Sequence, residues 1–450
     1  MEEYYFELEN DDYIKSKKGE TSINRIVVEQ LHGNKNLSID IYNNCLIIVG
    51  DNGFGKTSLL NIVCSVISGN IKYLRDINFQ AVSIYFTKSI SGISESIKVE
   101  KKDLEIFDYF HSEIVHGGHK NIHNRNIRNS TRLNENDNKY LRILDNYYNN
   151  VESSAEKRYM LLENKEFIEL YKEVVIKMEE ARRILGFETL FLPTYRRIEQ
   201  RSEYFGLNEI EDENINFGMN DVKIAIKKIT DNIIQSSIDW ISKVNGQIIN
   251  EILDIESKIT YFSKYEEKNI RKTLGRIDKK YLKDSSQDKI FDLIDNGKIY
   301  NNRALVYFLK NMLKLHEEQS KNDNKLIRFS QICNKYLKNK KIKYDEIKVS
   351  LKIVRTFGKK EEYIDFDSLS SGEKQIISIF ARLILTEDKN IAVIFDEPEI
   401  SISITWQKMI LEDIYNLDNC GFLIASTHSP FIFSNDLKKY TVDIEERLGY

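Results

Sequence analysis

Proline is nearly absent. Only Pro193, Pro398 and Pro430 occur in 450 residues, so little interrupts strand ladders or helix interiors. Cysteine is scarce as well: Cys45, Cys64, Cys333 and Cys420 are scattered, with no C-x-x-C pair. That excludes a disulfide scaffold and predicts reduced, mostly buried thiols. No apolar run approaches the roughly 18 residues that would suggest a membrane span. The start, "MEEYYFELENDDY", is acidic and aromatic rather than a signal peptide. A cytoplasmic protein with no membrane contact is expected. The net charge of −4 excludes a surface built as a whole to hold a polyanion, while a local basic patch stays open.

Hydrophobic residues make up 41% of the chain, and its 25 Tyr and 22 Phe argue for a packed core against disorder. The length allows two lobes, or one large domain with an insertion. Each proline follows an apolar run: "ETLFLP", "IAVIFDEP" and "GFLIASTHSP". Such runs predict buried strands that stop at one edge, and "CLIIVG" (Cys45–Gly50) is a fourth. Unbroken apolar strands point to a central sheet covered on both faces. "NRIVVEQL" and "LSIDI" predict a peripheral meander.

From Asn220 to Asp345 the texture turns helical. Ile234, Ile238, Ile241, Val244, Ile248, Ile252, Ile255 and Ile259 step by three or four, a stripe of about seven turns. "KYLKNKKIKY" (Lys335–Tyr344) predicts a solvated helix end. His111–Arg132 is polar and rich in His and Arg, and predicts a loop. His116, His119 and His123 have metal-ligand spacing without acid or Cys neighbours, so an exposed loop, or a partner contact through Arg125, Arg128 and Arg132, is the plainer reading.

"GDNGFGKTS" matches G-x-x-x-x-G-K-T between a strand and the helical "TSLLNIVCSVI". Gly50, Gly53 and Gly55 allow backbone N–H groups to wrap phosphates, with Asp51, Asn52, Phe54 and Ser58 completing the loop. The following helix points its positive end at the same anion. Lys56 is placed to reach the β- and γ-phosphates of ATP, and the Thr57 hydroxyl to hold Mg2+. In "IAVIFDEPE" a buried strand delivers Asp396 to Mg2+, and Glu397 follows as the group that polarises the attacking water. "ASTHSP" places His428 past another core strand, as a sensor of the γ-phosphate.

With "LSSGEKQ" (Leu369–Gln375) between them, these segments resemble an ABC-class ATPase head of the RecF, SMC and OLD-type branch. The resemblance implies an α/β fold: a mainly parallel sheet with the P-loop, an N-terminal antiparallel meander and a helical insertion. It assigns residues 1–20 to an acidic tail and 21–219 to the first part of the head. Residues 220–345 become the insertion, and 346–450 the second part with signature, Walker B segment and switch histidine. Ser370, Gly372 and Glu373 then belong to the signature, which caps the ATP held by a second copy, so two heads sandwich two ATPs. Ser371 stands where many members have glycine, and Ser403 replaces a histidine in "EISISITWQ". Gln200, Arg196 and Arg197 are the candidates for the lid loop.

"FLPTYRRIE" and "FGMNDV" (Phe217–Val222) narrow the likeness to ATPase subunits of bacterial anti-phage systems of the Septu and PARIS type. That implies a regulatory ATPase, a higher oligomer such as a hexamer, a separate nuclease subunit of Toprim or HNH type, and a phage-encoded trigger. The alternative is a RecF- or SMC-like repair ATPase that binds DNA directly. The acidic net charge and the short insertion weigh against it, and the insertion also weighs against a transporter motor.

Overall fold

The computed structural model describes residues 21–69, 74, 77–88, 92–102, 104, 176–193, 219–253, 261–277, 282–357, 360–386 and 390–449. The acidic tail, the His111–Arg132 loop, and Arg196, Arg197 and Gln200 lie outside these residues. The chain divides into two compact units, Met1–Ile210 with Asp388–Tyr450, and Glu211–Glu387. The first supplies β1 (Thr21–Leu31), β2 (Lys35–Asp40), β3 (Cys45–Val49), α1 (Lys56–Ser68), β4 (Ala81–Lys88), β5 (Ser94–Glu100) and β6 (Glu188–Leu192). The second follows with helices α2 (Asn220–Leu253), α3 (Lys264–Gly275), α4 (Asp284–Asp295) and α5 (Arg303–Asn334). It continues with β7 (Lys340–Asp345), β8 (Ser350–Phe357), β9 (Lys360–Ile364) and α6 (Ser371–Ile384). The chain then returns to the first unit for β10 (Ile391–Asp396), α7 (Ile404–Tyr415), β11 (Cys420–Ser426), β12 (Thr441–Asp443) and β13 (Leu448–Gly449).

The first unit has two sheets. One is parallel, in the order β12-β3-β11-β10-β6. Every residue of β10 and β11 is buried, as expected of continuous apolar strands covered on both faces. Because the strands are parallel, β6, β10 and β11 end at the same edge, with Pro193, Pro398 and Pro430 just beyond. β3 ends there too, and it leads into the glycine loop. Ligands of open parallel sheets bind outside the carboxyl ends of the strands, so this edge is where a site is expected.

The other sheet is antiparallel, in the order β13-β2-β1-β4-β5, and holds both segments of the expected meander. Helix α1 packs into one core with both sheets. Leu59, Leu60, Ile62, Val63, Val66 and Ile67 join Ile23, Ile26 and Ile39 from the antiparallel sheet and Ile394, Phe422 and Ile424 from the parallel one. A helix apolar on most of its surface is stable only when covered all round. The core therefore fixes where α1 begins, and so where its N-terminus points.

The second unit is helical with a small antiparallel sheet, β7-β8-β9. Two sequence expectations change here. The buried face of α2 is made by Val222, Ile226, Ile229 and Ile233, whereas Ile234 and Ile238 are exposed, so the stripe that begins at Ile234 is not the packed one. Its members from Ile241 onward lie outside the described side chains or residues. Second, the run expected as a helix end contains β7. Helix α5 stops at Asn334, whose side chain clamps both polar groups of the Ile342 backbone, at 2.7 and 2.9 Å. Asn339, at φ 58°, makes the turn between them. Ile342 is the one apolar residue among the lysines of this strand, too few to show a period of two.

A buried polar cluster ties the helices together. Arg276 and Asp323 form an ion pair with both side chains 3% exposed. Arg276 also donates to Gln319 and to the Glu346 carbonyl, and Tyr344 donates to Asp323. Gln319 in turn donates to the Ile233 carbonyl on α2.

Candidate nucleotide site

The loop after β3 needs glycine. Gly50, Gly53 and Gly55 have φ of 140°, 89° and 93°, in the region that side chains disfavour. A Cβ on Gly50 would meet Ile444 at 2.7 Å. Helix α1 starts directly from Gly55 with no side-chain cap, so no side chain of the loop competes for its first-turn N–H groups. Lys56, the first helical residue, is 6% exposed, and its ammonium donates to the Gly50 and Asp51 carbonyls at 2.7 and 2.9 Å. Burial pulls its pKa below the ordinary lysine value, while the charges of Glu397 and Asp396 act the other way.

Across the same edge, Asp396 ends β10 and is 2% exposed. Its carboxylate accepts from the Thr57 hydroxyl at 3.2 Å, and Ser426, its register partner on β11, donates to it as well. Thr57 and Asp396, 339 residues apart, thus converge as a hydroxyl and a carboxylate. A magnesium ion bound with nucleotide phosphates asks for that donor set, one or two protein oxygens with phosphates and water supplying the rest. Among the described residues, no group of three His, Cys, Asp or Glu side chains is placed to hold a metal unaided.

The AAA ATPase domain profile matches residues 22–433, which takes in both halves of this edge. The chain belongs to the AAA ATPase domain family. It is an ATPase of α/β architecture. No curated protein matches it. Among solved structures, the SMC head domain from Pyrococcus furiosus, with an extended coiled coil and bound to the C-terminal domain of ScpA, is 13% identical. It covers 92% of this chain and 91% of its own, at a TM-score of 0.39. An SMC head bound to the C-winged helix domain of ScpA is 11% identical, with coverage of 92% and 91% and a TM-score of 0.35.

In this ATPase, Glu397 follows Asp396 with φ 52°, a strained value for a side chain other than glycine or asparagine. Its N–H donates to the Ser426 carbonyl at 2.9 Å, which fixes the turn. Burial, then the neighbouring charges of Asp396 and Glu399, push its carboxyl above the ordinary range.

Glu399 was not a sequence candidate. One of its oxygens accepts from the Thr427 hydroxyl and the other from the His428 N–H, each at 2.8 Å. Gln407 of the "TWQ" segment accepts from Ser429 at 2.7 Å and donates to the Glu399 carbonyl at 3.3 Å. The loop that carries the exposed His428 is therefore held by two side chains from the segment after β10. The third carboxylate within "DEPE" was the available signal.

Three further residues reach the glycine loop with no local signal to announce them. Lys35 donates to the Gly53 carbonyl at 3.3 Å and lies 5.0 Å from the centre of the Phe54 ring. His32 meets the Ser58 hydroxyl at 3.1 Å, and Glu445 accepts from the Asp51 N–H at 3.1 Å. Asp51 and Asn52 are exposed at the loop tip. Ser403 is the N-cap residue of α7 and makes no side-chain cap bond.

The "LSSGEKQ" segment lies in the second unit. Ser370 is the N-cap of α6, in a capping box with Glu373, and Gly372 is buried in the first turn. Among the described residues, no helix is long and apolar enough to cross a membrane.

Proposed function

We propose that this ATPase is a nucleotide-controlled switch. Two copies close head to head on two ATPs, and the chain serves as the regulatory subunit of a cytoplasmic bacterial anti-phage complex that restrains or releases a partner nuclease. The observation that carries the ATP part is the meeting of Lys56, Thr57, Asp396 and Glu397 at one strand edge. The defence part rests on the resemblance of "FLPTYRRIE" and "FGMNDV".

The geometry suits the following chemistry. The N–H groups of the loop and of the first turn of α1 surround the β-phosphate, and Lys56 exchanges its loop carbonyls for phosphate oxygens. Thr57 and Asp396 would hold Mg2+, which when bound would draw charge from the phosphates. Glu397, raised in pKa and set at the strand end by its strained turn, takes a proton from the attacking water. His428, steadied by Glu399, touches the γ-phosphate. Ser370 and the α6 N-terminus of the second copy close the site.

Lys56→Ala should abolish ATP binding. Mixing Lys56→Ala with Ser370→Arg should restore part of the hydrolysis, because a hybrid pair holds one intact site. Absence of recovery despite proven subunit exchange would defeat the shared site. Phage protection should need both Lys56 and the neighbouring nuclease gene, and the two proteins should copurify.

One observation favours the DNA-binding alternative. Between Lys335 and Tyr363 the chain has ten Lys or Arg and four Asp or Glu, in a protein of net charge −4. Lys272, Lys343, Lys348 and Lys352 line a cavity of about 480 Å3 there, together with Asp345 and Glu346. Hydrolysis stimulated by DNA and weakened steeply by salt, with no nuclease partner, would establish that reading instead.

A further inference from the structure

The signature serine already has a use for its proton. Ser370 Oγ donates to Glu373 Oε2 at 2.9 Å and accepts from the Glu373 N–H at 3.4 Å. The same carboxylate oxygen accepts from the Ser370 N–H at 2.8 Å. A hydroxyl has one hydrogen to give. While it points at Glu373, it cannot serve a phosphate, which offers only acceptors.

A third donor reaches this oxygen from outside the motif. Lys340 Nζ, on the first residue of β7, lies 2.6 Å from Glu373 Oε2. The pair is shielded, with the Lys340 and Glu373 side chains 15% and 8% exposed. Burial alone would raise the Glu373 carboxyl, yet the Lys340 ammonium and the Ser370 donors bring it below the ordinary carboxylate value. In the ladder, Lys340 stands directly opposite Arg355. Like charges so placed destabilise a sheet, and Glu373 supplies the compensating anion.

We propose that Lys340 is a positioning residue of the signature: it holds Glu373 so that Ser370 can turn its hydroxyl onto a phosphate of the ATP bound by a second copy. The inference rests on the shared-site reading above. In the exchange, the Ser370 O–H bond to Glu373 is replaced by an O–H bond to a phosphate oxygen. Glu373 keeps the Ser370 N–H and Lys340 as donors, so its charge stays satisfied. Without Lys340, the oncoming phosphates would meet an unneutralised carboxylate on the serine they need.

The test uses the full chain with Glu397→Gln, so that ATP stays bound, and two measurements: affinity for a fluorescent ATP analogue, and ATP-driven self-association by sedimentation. Lys340→Met should leave analogue affinity unchanged at concentrations where the chain is unpaired, and weaken self-association by at least about tenfold, as expected when a shielded charge loses its partner. Lys340→Arg should rescue it. Glu373→Gln should make Lys340 dispensable, so Glu373→Gln and the double variant Lys340→Met/Glu373→Gln should associate equally. That pair carries the test if Lys340→Met alone does not fold. Full association by Lys340→Met, or unequal association in that pair, would overturn the proposal while the shared site survives, provided Ser370→Arg still abolishes association. If Ser370→Arg associates normally, the shared-site reading falls and this inference falls with it.

Discussion

The two units treat buried carboxylates in opposite ways. In the second, each has a cation: Asp323 has Arg276, and Glu373 has Lys340. In the first, Asp396 is buried with the half-buried Glu397 and Glu399 within four residues of it; the hydroxyls of Thr57 and Ser426 meet Asp396 and that of Thr427 meets Glu399, while the ammonium of Lys56 bonds to loop carbonyls. A paired charge fixes a fold. A crowded set of carboxylates stores repulsion that a cation or a proton can relieve. The difference separates residues kept for architecture from residues kept for chemistry.

Removing one charge should therefore have opposite consequences in the two units. The largest effect is expected on rate. Glu397→Gln should slow ATP turnover by roughly 10²–10⁴-fold, the usual weight of a general base, with unchanged or higher thermal stability. Single-turnover kinetics beside a melting curve would check both halves. In the second unit the cost moves to the fold. Arg276→Met leaves Asp323 buried and unpaired, and should lose about 3–5 kcal/mol in denaturant unfolding, much of it regained in Arg276→Met/Asp323→Leu. If Glu397→Gln destabilised as much as Arg276→Met, the contrast would collapse.

Glu399 tests the boundary between the two roles. It lies at the site but acts through hydrogen bonds, so Glu399→Ala should cost about 1–3 kcal/mol by orphaning the Thr427 hydroxyl and the His428 N–H. Faster hydrogen exchange at His428 would be the local sign. The smallest effect concerns pH. The Glu373 carboxyl titrates below its ordinary value when folded. Its contribution is thus present above the ordinary carboxylate pKa and is lost as pH falls through the lower, folded one. An acid melt should be flatter at that end for Lys340→Met than for the parent.

What the sequence revealed follows from how far apart the cooperating residues lie. The glycine loop, the D-E pair and the three strands before proline are contiguous, so spacing alone locates them, and the structure brings them to one edge. Glu399 was visible only as an extra acid in a turn. Lys340, Lys35 and Glu445 sit in segments with no motif, and their partners are 33, 18 and 394 residues away. No local pattern encodes such contacts. The stripe at Ile234 misled for a related reason: helix α2 carries apolar residues on more than one face, and periodicity cannot say which face the rest of the unit covers.

The far-travelled Ile444 also bears on how the molecule comes into being. Its N–H bonds to the Val49 carbonyl at 2.9 Å, its side chain occupies the space a Cβ on Gly50 would need, and β12 runs beside β3. The glycine loop is synthesised well before its support, because the whole second unit lies between them. Contacts of such wide separation form slowly, after the intervening chain has been ordered. A growing polypeptide that has not reached Ile444 carries the nucleotide motif without this backing, and the loop gains it only once that residue has emerged.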